Sequence, residues 1–331
     1  MDAQEISWYR VPIDKETLKK LTRRSDLKGL AQAGGHLLLV LATGFGVYWS
    51  YGRLAWYWVL LGFFIHGTVM SFMGGAGAFH ELCHGTPFKT RWLNEVFLRI
   101  YAFLSWSNFV YFRTNHVKHH QYTLHRGIDL EVVLPGHVRV RDFLWQFAFN
   151  PIGVWGQLRT HGRQALGILE GEWEKRIFSG DGEKARRGFF NWARFLVLGH
   201  LALAAAAAAL HAWILIPIFL TPFYAGWLAF LCAIPQHFGL LSDTPDWRRS
   251  CRTVLQGPIT RFLYWQMNYH VEHHMYAAVP FHALPRLHRL IDKDSPRPNR
   301  GLLSAWKEII RIERAMKREP DYVFDSYSRT G

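Results

Sequence analysis

Cysteine is scarce in this sequence, with three residues among 331. Cys83, Cys232 and Cys251 form an odd, widely spaced set, which excludes a disulfide framework and indicates a reducing compartment. No CxxC pair is present, so the chain carries no rubredoxin-like or zinc-ribbon module. The polar N-terminus, MDAQEISWYR, lacks the short apolar core of a cleaved signal peptide, and we expect none.

Charged residues are missing from three long stretches, 29–52, 54–80 and 195–242, none of which contains Asp, Glu, Lys or Arg. A helix rises about 1.5 Å per residue and needs about 20 residues to cross a hydrocarbon core of roughly 30 Å. The third stretch is long enough for two crossings with a turn around His211 to Pro217. The pattern predicts an all-α integral membrane protein with four transmembrane helices in two hairpins, at about 29–52, 54–79, 195–212 and 216–236.

Basic residues are distributed unevenly about these four predicted spans. The net charge of +14 alone would be compatible with nucleic-acid binding. However, 38 of the 39 Lys and Arg residues fall on one side of the four-span topology, with Arg53 as the exception. Four buried helices of a soluble protein would not produce that segregation. The positive-inside bias makes this side the cytoplasm, so both termini are predicted to be cytoplasmic and no nucleic acid is expected as a partner.

The remaining segments are predicted to form one domain with the spans, over residues 1–331. Residues 81–194 and 243–331 would make a cytosolic cap of cytosolic and interfacial helices. Trp92–Phe112 is apolar but contains Glu95 and Arg99, which favours an interfacial or re-entrant helix. A last amphipathic helix is predicted over about Leu302–Glu319.

Histidine is abundant, with 18 residues, and half of them follow a pattern. The sequence contains one HELCH motif, one HVKHH motif, one HVEHH motif and a histidine in PQHFG after the fourth predicted span. On a helix, positions i, i+3 and i+4 share one face, so each motif can direct its imidazoles to one point. The topology brings all nine to the same membrane face: His80, His84, His116, His119, His120, His237, His270, His273 and His274.

Nine imidazoles exceed the roughly four ligands that a zinc ion takes, and they suit two metal ions with four or five ligands each. Imidazole accommodates iron, copper, nickel and zinc, so the ligand type does not select the metal. HELCH also satisfies the H-E-x-x-H pattern of zinc proteases, with His80 and His84 as ligands and Glu81 as base. An intramembrane zinc protease and a metal transporter stay as remote alternatives. The protease would leave six clustered histidines without a purpose, and transporters normally place their ionisable groups midway through the bilayer.

These motifs resemble the histidine boxes of the membrane fatty-acid desaturase and hydroxylase family. The segment from Asn268 to His288, NYHVEHHMYAAVPFHALPRLH, is similar to the third box of acyl-lipid desaturases, and HELCH is similar to the first box of sphingolipid desaturases and alkane hydroxylases. The resemblance implies a di-iron centre held by the nine histidines, with O2 as co-substrate. Two departures are Ala277, where many relatives have proline, and a first box with three intervening residues instead of the four of acyl-CoA desaturases.

The resemblance further implies O2-dependent oxidation of an unactivated C–H bond in a lipid or fatty-acyl chain. Desaturation to a C=C bond is the leading expectation and hydroxylation by the same centre is the alternative. Two electrons per turnover must come from an external ferredoxin, rubredoxin or cytochrome b5 with its reductase, because no haem, flavin or Cys-rich motif is visible. We expect a multi-pass protein of a bacterial inner membrane. Four acidic residues near the boxes are predicted to orient the imidazoles, namely Glu81, Asp129, Glu131 and Glu272.

Overall fold

The computed structural model of the chain describes residues 6–75, 77–129, 131–132, 137–178, 182–319 and 321–328. Within this part of the chain, regular structure is almost entirely helical. The helices of the first half are α1 Lys15–Leu21, α2 Asp26–Ser50, α3 Trp56–Met70, a 3₁₀ turn Ser71–Met73, α4 Ala78–His84, α5 Arg91–Leu104, α6 Phe109–Tyr122, α7 Val140–Trp145, α8 Pro151–Ala165 and α9 Gly171–Phe178.

The second half begins with the long helix α10, Glu183–Ala209. The elements that follow it are short: α11 Leu215–Phe219, a 3₁₀ turn Thr221–Phe223, α12 Trp227–Ala233, a 3₁₀ turn Ile234–Gln236, α13 Trp247–Ser250, β1 Val254–Leu255, α14 Pro258–Leu263, α15 His270–Met275, a 3₁₀ turn Phe281–Ala283, α16 Leu284–Ile291, a 3₁₀ turn Asp292–Asp294, β2 Asn299–Arg300, α17 Leu302–Arg318 and a 3₁₀ turn Ser326–Ser328. Strands β1 and β2 pair in parallel, with Val254 opposite Asn299.

Three helical stretches are long and apolar enough to cross a membrane: Asp26–Ser50, Trp56–His84 and Glu183–Ala209. The first two match the predicted spans 29–52 and 54–79, and α2 packs along α3 as a hairpin requires. The third begins earlier than the predicted 195–212, because charged and apolar residues of 183–209 continue in one helix. His211 follows that helix with a positive φ of 52°, which is where a turn was predicted.

The fourth predicted span, 216–236, is not one helix. Pro217, Pro222 and Pro235 lack the backbone N–H that a continuous helix needs, and the segment divides into α11, α12 and two 3₁₀ turns. Its longest apolar helical piece is Trp227–Gln236, which at about 1.5 Å per residue is shorter than the hydrocarbon core. The described residues therefore contain three candidate spans, and a fourth crossing stays a prediction.

Large apolar side chains cover the outside of the spanning helices. Leu38, Leu41 and Phe45 of α2 are each at least 60% exposed, as are Leu198 and Leu201 of α10. Aromatic side chains are concentrated and exposed around the connection between α2 and α3: Tyr48, Trp49, Tyr51, Trp56, Tyr57 and Trp58. An exposed apolar surface bordered by Trp and Tyr is what a membrane-embedded hairpin presents to lipid and to the interface.

Local capping sets the ends of the helices that carry the histidine motifs. Gly85 adopts the left-handed conformation (φ 67°) and ends α4 directly after the HELCH motif. The Asn108 side chain accepts hydrogen bonds from the backbone N–H groups of Val110 and Tyr111, which starts α6 two turns before HVKHH. HELCH and HVKHH therefore lie in the last turns of their helices, whereas HVEHH occupies nearly all of the short helix α15.

Residues from the second half of the chain pack on the same core as the candidate spanning helices. Phe72, Phe79 and Tyr264, which come from three different segments, are each at most 1% exposed within this core. A smaller core lies under α17, where Ile309 and Ile312 pack on Phe238, Leu240 and Phe324. The predicted last helix is thus confirmed as α17, and it covers the segment that follows His237.

Candidate metal centre

Five of the nine predicted ligands form one group, which we call the first cluster: His80, His84, His116, His120 and His273. Their candidate donor atoms all lie within 4.8 Å of one another. The Nε2 atoms of His80 and His273 are 2.8 Å apart, and the Nε2 atom of His116 is 3.0 Å from those of both His84 and His120. The group joins α4, α6 and α15, which are far apart in the sequence.

A second cluster contains His237, His270, His274 and Cys251, whose candidate donor atoms also lie within 4.8 Å of one another. The Nε2 atom of His270 is 2.9 Å from that of His237 and 3.1 Å from that of His274. The His119 ring contacts this cluster, with centroid distances of 5.1 Å to His237 and 4.9 Å to His274. All four cluster residues are buried, so the site is sheltered from bulk water.

The two clusters are neighbours. The rings of His120 in the first and His274 in the second are stacked with their centroids 4.3 Å apart. The His80 and His270 rings, also from different clusters, have centroids 6.5 Å apart. Two metal ions bound in these clusters would thus lie side by side, which is the arrangement that joint chemistry on one small molecule requires.

Several of the imidazoles have their Nδ1 atoms held by protein acceptors. His116 Nδ1 lies 2.7 and 2.9 Å from the two carboxylate oxygens of Glu131. His119 Nδ1 lies 2.8 Å from Asp129 Oδ2, and His237 Nδ1 donates to the Ser250 carbonyl at 2.8 Å. A hydrogen bond at Nδ1 fixes the tautomer and leaves the Nε2 lone pair free to bind a metal.

This protonation pattern supplies a test of whether the residues fit a cation. His116, His80 and His237 each have an acceptor at Nδ1, namely Glu131, the Gly75 carbonyl and the Ser250 carbonyl, so their Nε2 atoms carry lone pairs. Those Nε2 atoms nevertheless face other Nε2 atoms at 2.8–3.0 Å. A proton can bridge only one such pair at a time, whereas a shared metal ion satisfies every lone pair. The donor set therefore fits a metal in each cluster.

His119 and Asp129 form a buried, hydrogen-bonded pair. Burial alone would lower the pKa of His119, but the hydrogen bond to Asp129 and the charges of Glu131 and Asp129 raise it overall. Burial alone would raise the pKa of Asp129, but the hydrogen bond to His119 and its charge lower it overall. The Asp129 carboxylate also accepts the backbone N–H groups of Leu124 and Glu131, which fixes its position beneath the ring. The pair holds the His119 ring in one orientation.

Glu131 is in a different electrostatic environment. Burial raises the pKa of this carboxyl group to about 7, and although the charge of His119 lowers it, the charge of Asp129 raises it further. A carboxyl group with a pKa near neutrality is unusual on a protein surface, and it is typical of a functional site. Both of its oxygens are directed at His116, so negative charge there would strengthen that imidazole as a donor to a cation.

The structure thus brings all nine predicted histidines together, and two of the four predicted orienting carboxylates, Asp129 and Glu131, bond to box histidines. Glu81 Oε1 lies 3.5 Å from His273 Nδ1, and the other carboxylate oxygen of Glu81 accepts from Thr86. Glu272 behaves differently from the prediction: it pairs with His288 at 2.5 Å and accepts from Thr253 at 2.6 Å, because its position in the α15 turn directs it away from the box rings.

Three groups at the site were not identified from the sequence. Cys251 was treated only as part of a scattered cysteine set, yet its thiol lies in the second cluster. The Thr123 hydroxyl bonds His274 Nδ1 at 3.1 Å, and the Ser250 carbonyl bonds His237. A threonine four residues after His119 and a cysteine in a basic loop have no distinctive sequence signal, so only the tertiary contacts reveal them.

Histidines outside the motifs have separate surroundings. His36 bonds the Val69 carbonyl and the Trp265 indole N–H, and His66 pairs with Thr43, as expected for buried structural residues of the spans. His161 bonds the Trp106 carbonyl away from both clusters. The nine histidines of the motifs are therefore distinguished by mutual contact and not by burial alone.

Comparison with known proteins agrees with this geometry. Residues 54–306, about three quarters of the chain, match the family described as fatty acid desaturase. The matched region contains every one of the nine clustered histidines and both carboxylates that hold them. No curated protein sequence gives a significant match. The match over most of its length shows that the chain belongs to the fatty acid desaturase family.

Proposed function

We propose that this oxidoreductase holds two iron ions in its histidine clusters and uses O2 to introduce a C=C bond into the acyl chain of a membrane lipid. The observation that carries the proposal is the convergence of eight imidazoles into two adjacent clusters, with His119 against the second and the rings of His120 and His274 4.3 Å apart. When bound, the iron pair supplies the O2 activation and oxidising strength that no protein side chain possesses.

The balance of the proposed reaction defines what the protein must bring together. A –CH2–CH2– unit, O2, two electrons and two protons give a –CH=CH– unit and two molecules of water. O2 thereby receives four electrons, two from the two broken C–H bonds and two from an external donor. The chain must therefore bind a hydrocarbon, admit O2 and accept electrons one at a time from a ferredoxin, rubredoxin or cytochrome b5.

The residues around the clusters hold the donors in place and limit their exposure to water. Asp129, Glu131, Ser250 and Thr123 fix four imidazoles through Nδ1, so the Nε2 atoms are oriented before a metal binds. Seven of the nine histidines are at most 4% exposed, and His84 and His120 are partly exposed. A dry, fixed donor set limits side reactions of a strong oxidant with water.

A hydrocarbon chain has a place to bind among the spanning helices. A cavity of about 560 Å³ lies between α2, α3 and the turn after α10, within the usual size range of ligand pockets. Its lining is almost entirely apolar and includes Val40, Leu41, Phe45, Leu215 and Phe219. Surroundings of this kind favour alkyl chains over polar metabolites, which supports a lipid or fatty-acyl substrate.

Hydroxylation is the second candidate reaction of the same centre. It would insert one oxygen atom into a C–H bond and release one water molecule, with the same two electrons from the donor. Both reactions need the same histidine ligands. They differ in where the second hydrogen atom of the substrate lies relative to the metal centre. The third motif, HVEHH, favours desaturation, because the residues around it resemble those of acyl-lipid desaturases.

A zinc protease built on the HELCH motif explains less of the geometry. Its base, Glu81, would need to reach a water molecule, but one Glu81 oxygen accepts from Thr86 and the other faces His273 at 3.5 Å. A metal transporter is also disfavoured, because transport sites lie midway through the bilayer and these clusters form at the helix ends. The protease also leaves the second cluster without a role.

The proposal includes the single domain 1–331 with cytoplasmic termini and a cytoplasmic metal centre, in a bacterial inner membrane. The lone Arg53 at the aromatic connection between α2 and α3, against 38 basic residues elsewhere, supports this orientation. Cysteine-substituted positions 53 and 23 labelled with a membrane-impermeant maleimide in spheroplasts would test it. Labelling at position 53 alone is expected, and labelling at position 23 alone would reverse the orientation.

The reaction is tested by lipid analysis of cells that express the chain together with a ferredoxin and its reductase. Desaturation is expected to yield acyl chains 2 Da lighter than their precursors, whereas hydroxylation would yield chains 16 Da heavier. The His273→Ala variant should form neither product, while a matched change at an exposed histidine, His137→Ala, should retain activity. Iron analysis of the purified protein should find two ions per chain. Zinc in place of iron, with an active His273→Ala variant, would refute the proposal.

A further inference from the structure

The N-terminal segment lies against the outside of the second cluster. The Tyr9 backbone N–H donates to the Pro245 carbonyl at 2.8 Å, and the Trp8 indole N–H donates to the Gln121 carbonyl at 2.8 Å. The Trp8 ring stacks on the Trp247 ring, with centroids 4.3 Å apart and planes 3° from parallel. This pair of stacked indoles, one partly exposed and one buried, is fixed by hydrogen bonds on both sides.

Trp247 is connected to a cluster histidine through a single hydroxyl group. The Trp247 indole N–H donates to Thr123 Oγ1 at 3.2 Å, and Thr123 Oγ1 lies 3.1 Å from His274 Nδ1. Thr123 donates its own proton to the His119 carbonyl at 2.7 Å, so its oxygen accepts from both Trp247 and His274. A continuous contact path therefore runs from Trp8 at the surface through Trp247 and Thr123 to His274.

The surface beside this path opens towards the metal centre. A cavity of about 430 Å³ has Trp8, Arg10 and Gln121 at its outer side and reaches His120 and His274. Those two histidines belong to different clusters and stack on each other. The place where the stacked indoles approach the surface is thus also a place where the described structure gives access to both clusters.

Cationic side chains border the opening. The exposed Arg10 has its guanidinium 5.5 Å from the Trp247 ring centroid. Arg248 lies 3.8 Å from the Tyr9 ring centroid, but it pairs with Asp246 at 2.7 Å and contributes no net charge to the surface. A shallow depression of about 810 Å³ next to the opening is lined by Arg10, Arg248 and Arg249. Arg249 pairs with Asp325 through an exposed 3.4 Å contact, which contributes little in water and can exchange for a carboxylate of a partner.

We propose that Trp8, Arg10 and Arg249 form the docking surface of an acidic one-electron carrier protein, and that electrons enter the second cluster along Trp8, the buried Trp247, Thr123 and His274. This inference rests on the proposed function, since it assigns the external donor a site. Each docking event would oxidise one reduced carrier by one electron, which an iron pair held by the two clusters would accept. Two events supply the two electrons of one turnover.

The contact path distinguishes a redox partner from an anionic membrane surface as the occupant. Anionic lipid would be attracted by the same arginines, but it requires no connection from the surface to a cluster histidine. An acidic carrier uses both features, because positive charge steers its approach and aromatic contact brings its cofactor close to the buried path. The combination of the cationic border, the stacked indoles and the Thr123 bridge therefore favours the protein carrier.

The docking step is tested with the iron-loaded full-length protein in nanodiscs of neutral phosphatidylcholine. A reduced acidic [2Fe–2S] ferredoxin is mixed with it anaerobically, without any lipid substrate, and carrier oxidation is followed by stopped-flow absorbance. Arg10→Glu is expected to lower the second-order rate constant by roughly tenfold at low salt, with a smaller dependence on salt. Arg23→Glu, a matched exposed arginine outside the surface, is expected to behave as wild type. Reduction by dithionite should be equal in all three.

The electron path is tested at saturating ferredoxin, where docking no longer limits the rate. Trp8→Leu is expected to slow the limiting first-order step, Trp8→Phe to retain most of it because a ring still stacks on Trp247, and both to keep wild-type iron content. Equal rates for Arg10→Glu and Arg23→Glu, or for the wild type and Trp8→Leu, would overturn the proposal. So would an Arg10→Glu defect seen only in nanodiscs that contain anionic phosphatidylglycerol.

Failure of this inference is separable from failure of the proposed function. Carrier oxidation is read without a lipid substrate, so a protein that accepts electrons normally but forms no alkene contradicts only the proposed reaction. A protein that desaturates lipid with an unchanged rate in Arg10→Glu and Trp8→Leu contradicts only the docking surface. A protein that binds no iron contradicts the proposed function before either rate is measured.

Discussion

Substitution of Glu131 gives the sharpest test of the metal centre. Its two carboxylate oxygens lie 2.7 and 2.9 Å from His116 Nδ1, and no other box histidine bonds it in the described structure. Glu131→Gln keeps the size and one acceptor oxygen but removes the negative charge. Glu131→Ala removes the acceptor altogether. Because His116 belongs to the first cluster, both substitutions should weaken binding of the metal ion in that cluster and leave the other unaffected.

The expected magnitude follows from the hydrogen bond. A bond to a charged group contributes about 1.5–3 kcal/mol and a neutral bond about 0.5–1.5 kcal/mol, so Glu131→Gln should cost about 1–2 kcal/mol of binding free energy. At about 1.4 kcal/mol per tenfold, iron affinity of the first cluster should fall by roughly 5- to 30-fold. For Glu131→Ala, loss of the orienting partner should lower it by about 10- to 100-fold.

The assay measures iron per chain after equilibration with graded concentrations of a chelator. It should be run near pH 8, since burial raises the pKa of Glu131 to about 7 and the carboxylate is then mostly ionised. The exposed Glu172, 93% accessible, provides the control variant Glu172→Gln. Loss of one iron at lower chelator concentration is expected, with the second retained. The reasoning is refuted if Glu131→Ala holds both irons as tightly as the control does.

Three further predictions concern other parts of the molecule. Gly239→Ala should destabilise the protein by about 2–4 kcal/mol, because φ is +70° and a Cβ would collide with the neighbouring Ile312 side chain. Gly156→Ala, inside α8 with open space around it, should not lower the thermal unfolding temperature. Ala212→Trp should fill part of the apolar cavity of about 560 Å³ and shift products towards shorter acyl chains, read by mass spectrometry of lipid extracts; an unchanged chain-length profile would exclude that cavity. Burial alone would lower the pKa of His288, but its hydrogen bond to Glu272 and the nearby negative charge raise this pKa overall. The interaction therefore stabilises the protein fully below the ordinary pKa of histidine, and this stabilisation is lost as pH rises through the higher pKa of the folded state. His288→Gln should therefore lower the free energy of unfolding by about 1–2 kcal/mol near pH 5.5 and by less near pH 8.5. Thermal unfolding would show this as a larger fall in Tm at the lower pH.

The sequence alone predicted the helical class, the position of the first two spans and all nine clustered histidines. Long charge-free stretches and the i, i+3, i+4 spacing are local properties, and they keep their meaning in any fold. The fourth span was predicted from the absence of charge in 216–236, but length was counted without the three prolines that divide the segment. Composition thus indicated an apolar segment correctly and gave no information on its continuity.

The tertiary structure decided how the histidine motifs are divided. HVKHH contributes His116 and His120 to the first cluster while its His119 ring contacts the second, and HVEHH is divided in the same way between His273 and its neighbours. Adjacent residues on a helix point in directions about 100° apart, so one motif can serve two sites. Which rings converge depends on how α4, α6 and α15 pack.

The same limit applies to the groups that support the site. Proximity in sequence suggested four orienting carboxylates alike, but Asp129 and Glu131 reach box histidines while Glu272 turns to His288. The stacking of Trp8 on Trp247 joins residues 239 positions apart, and no local sequence pattern predicts this contact. Spacing along a helix allowed the donor histidines to be identified from the sequence, because the directions of residues i, i+3 and i+4 are fixed by the helical backbone. Their partners were decided only in the folded chain, because long-range contacts depend on packing that no short segment encodes.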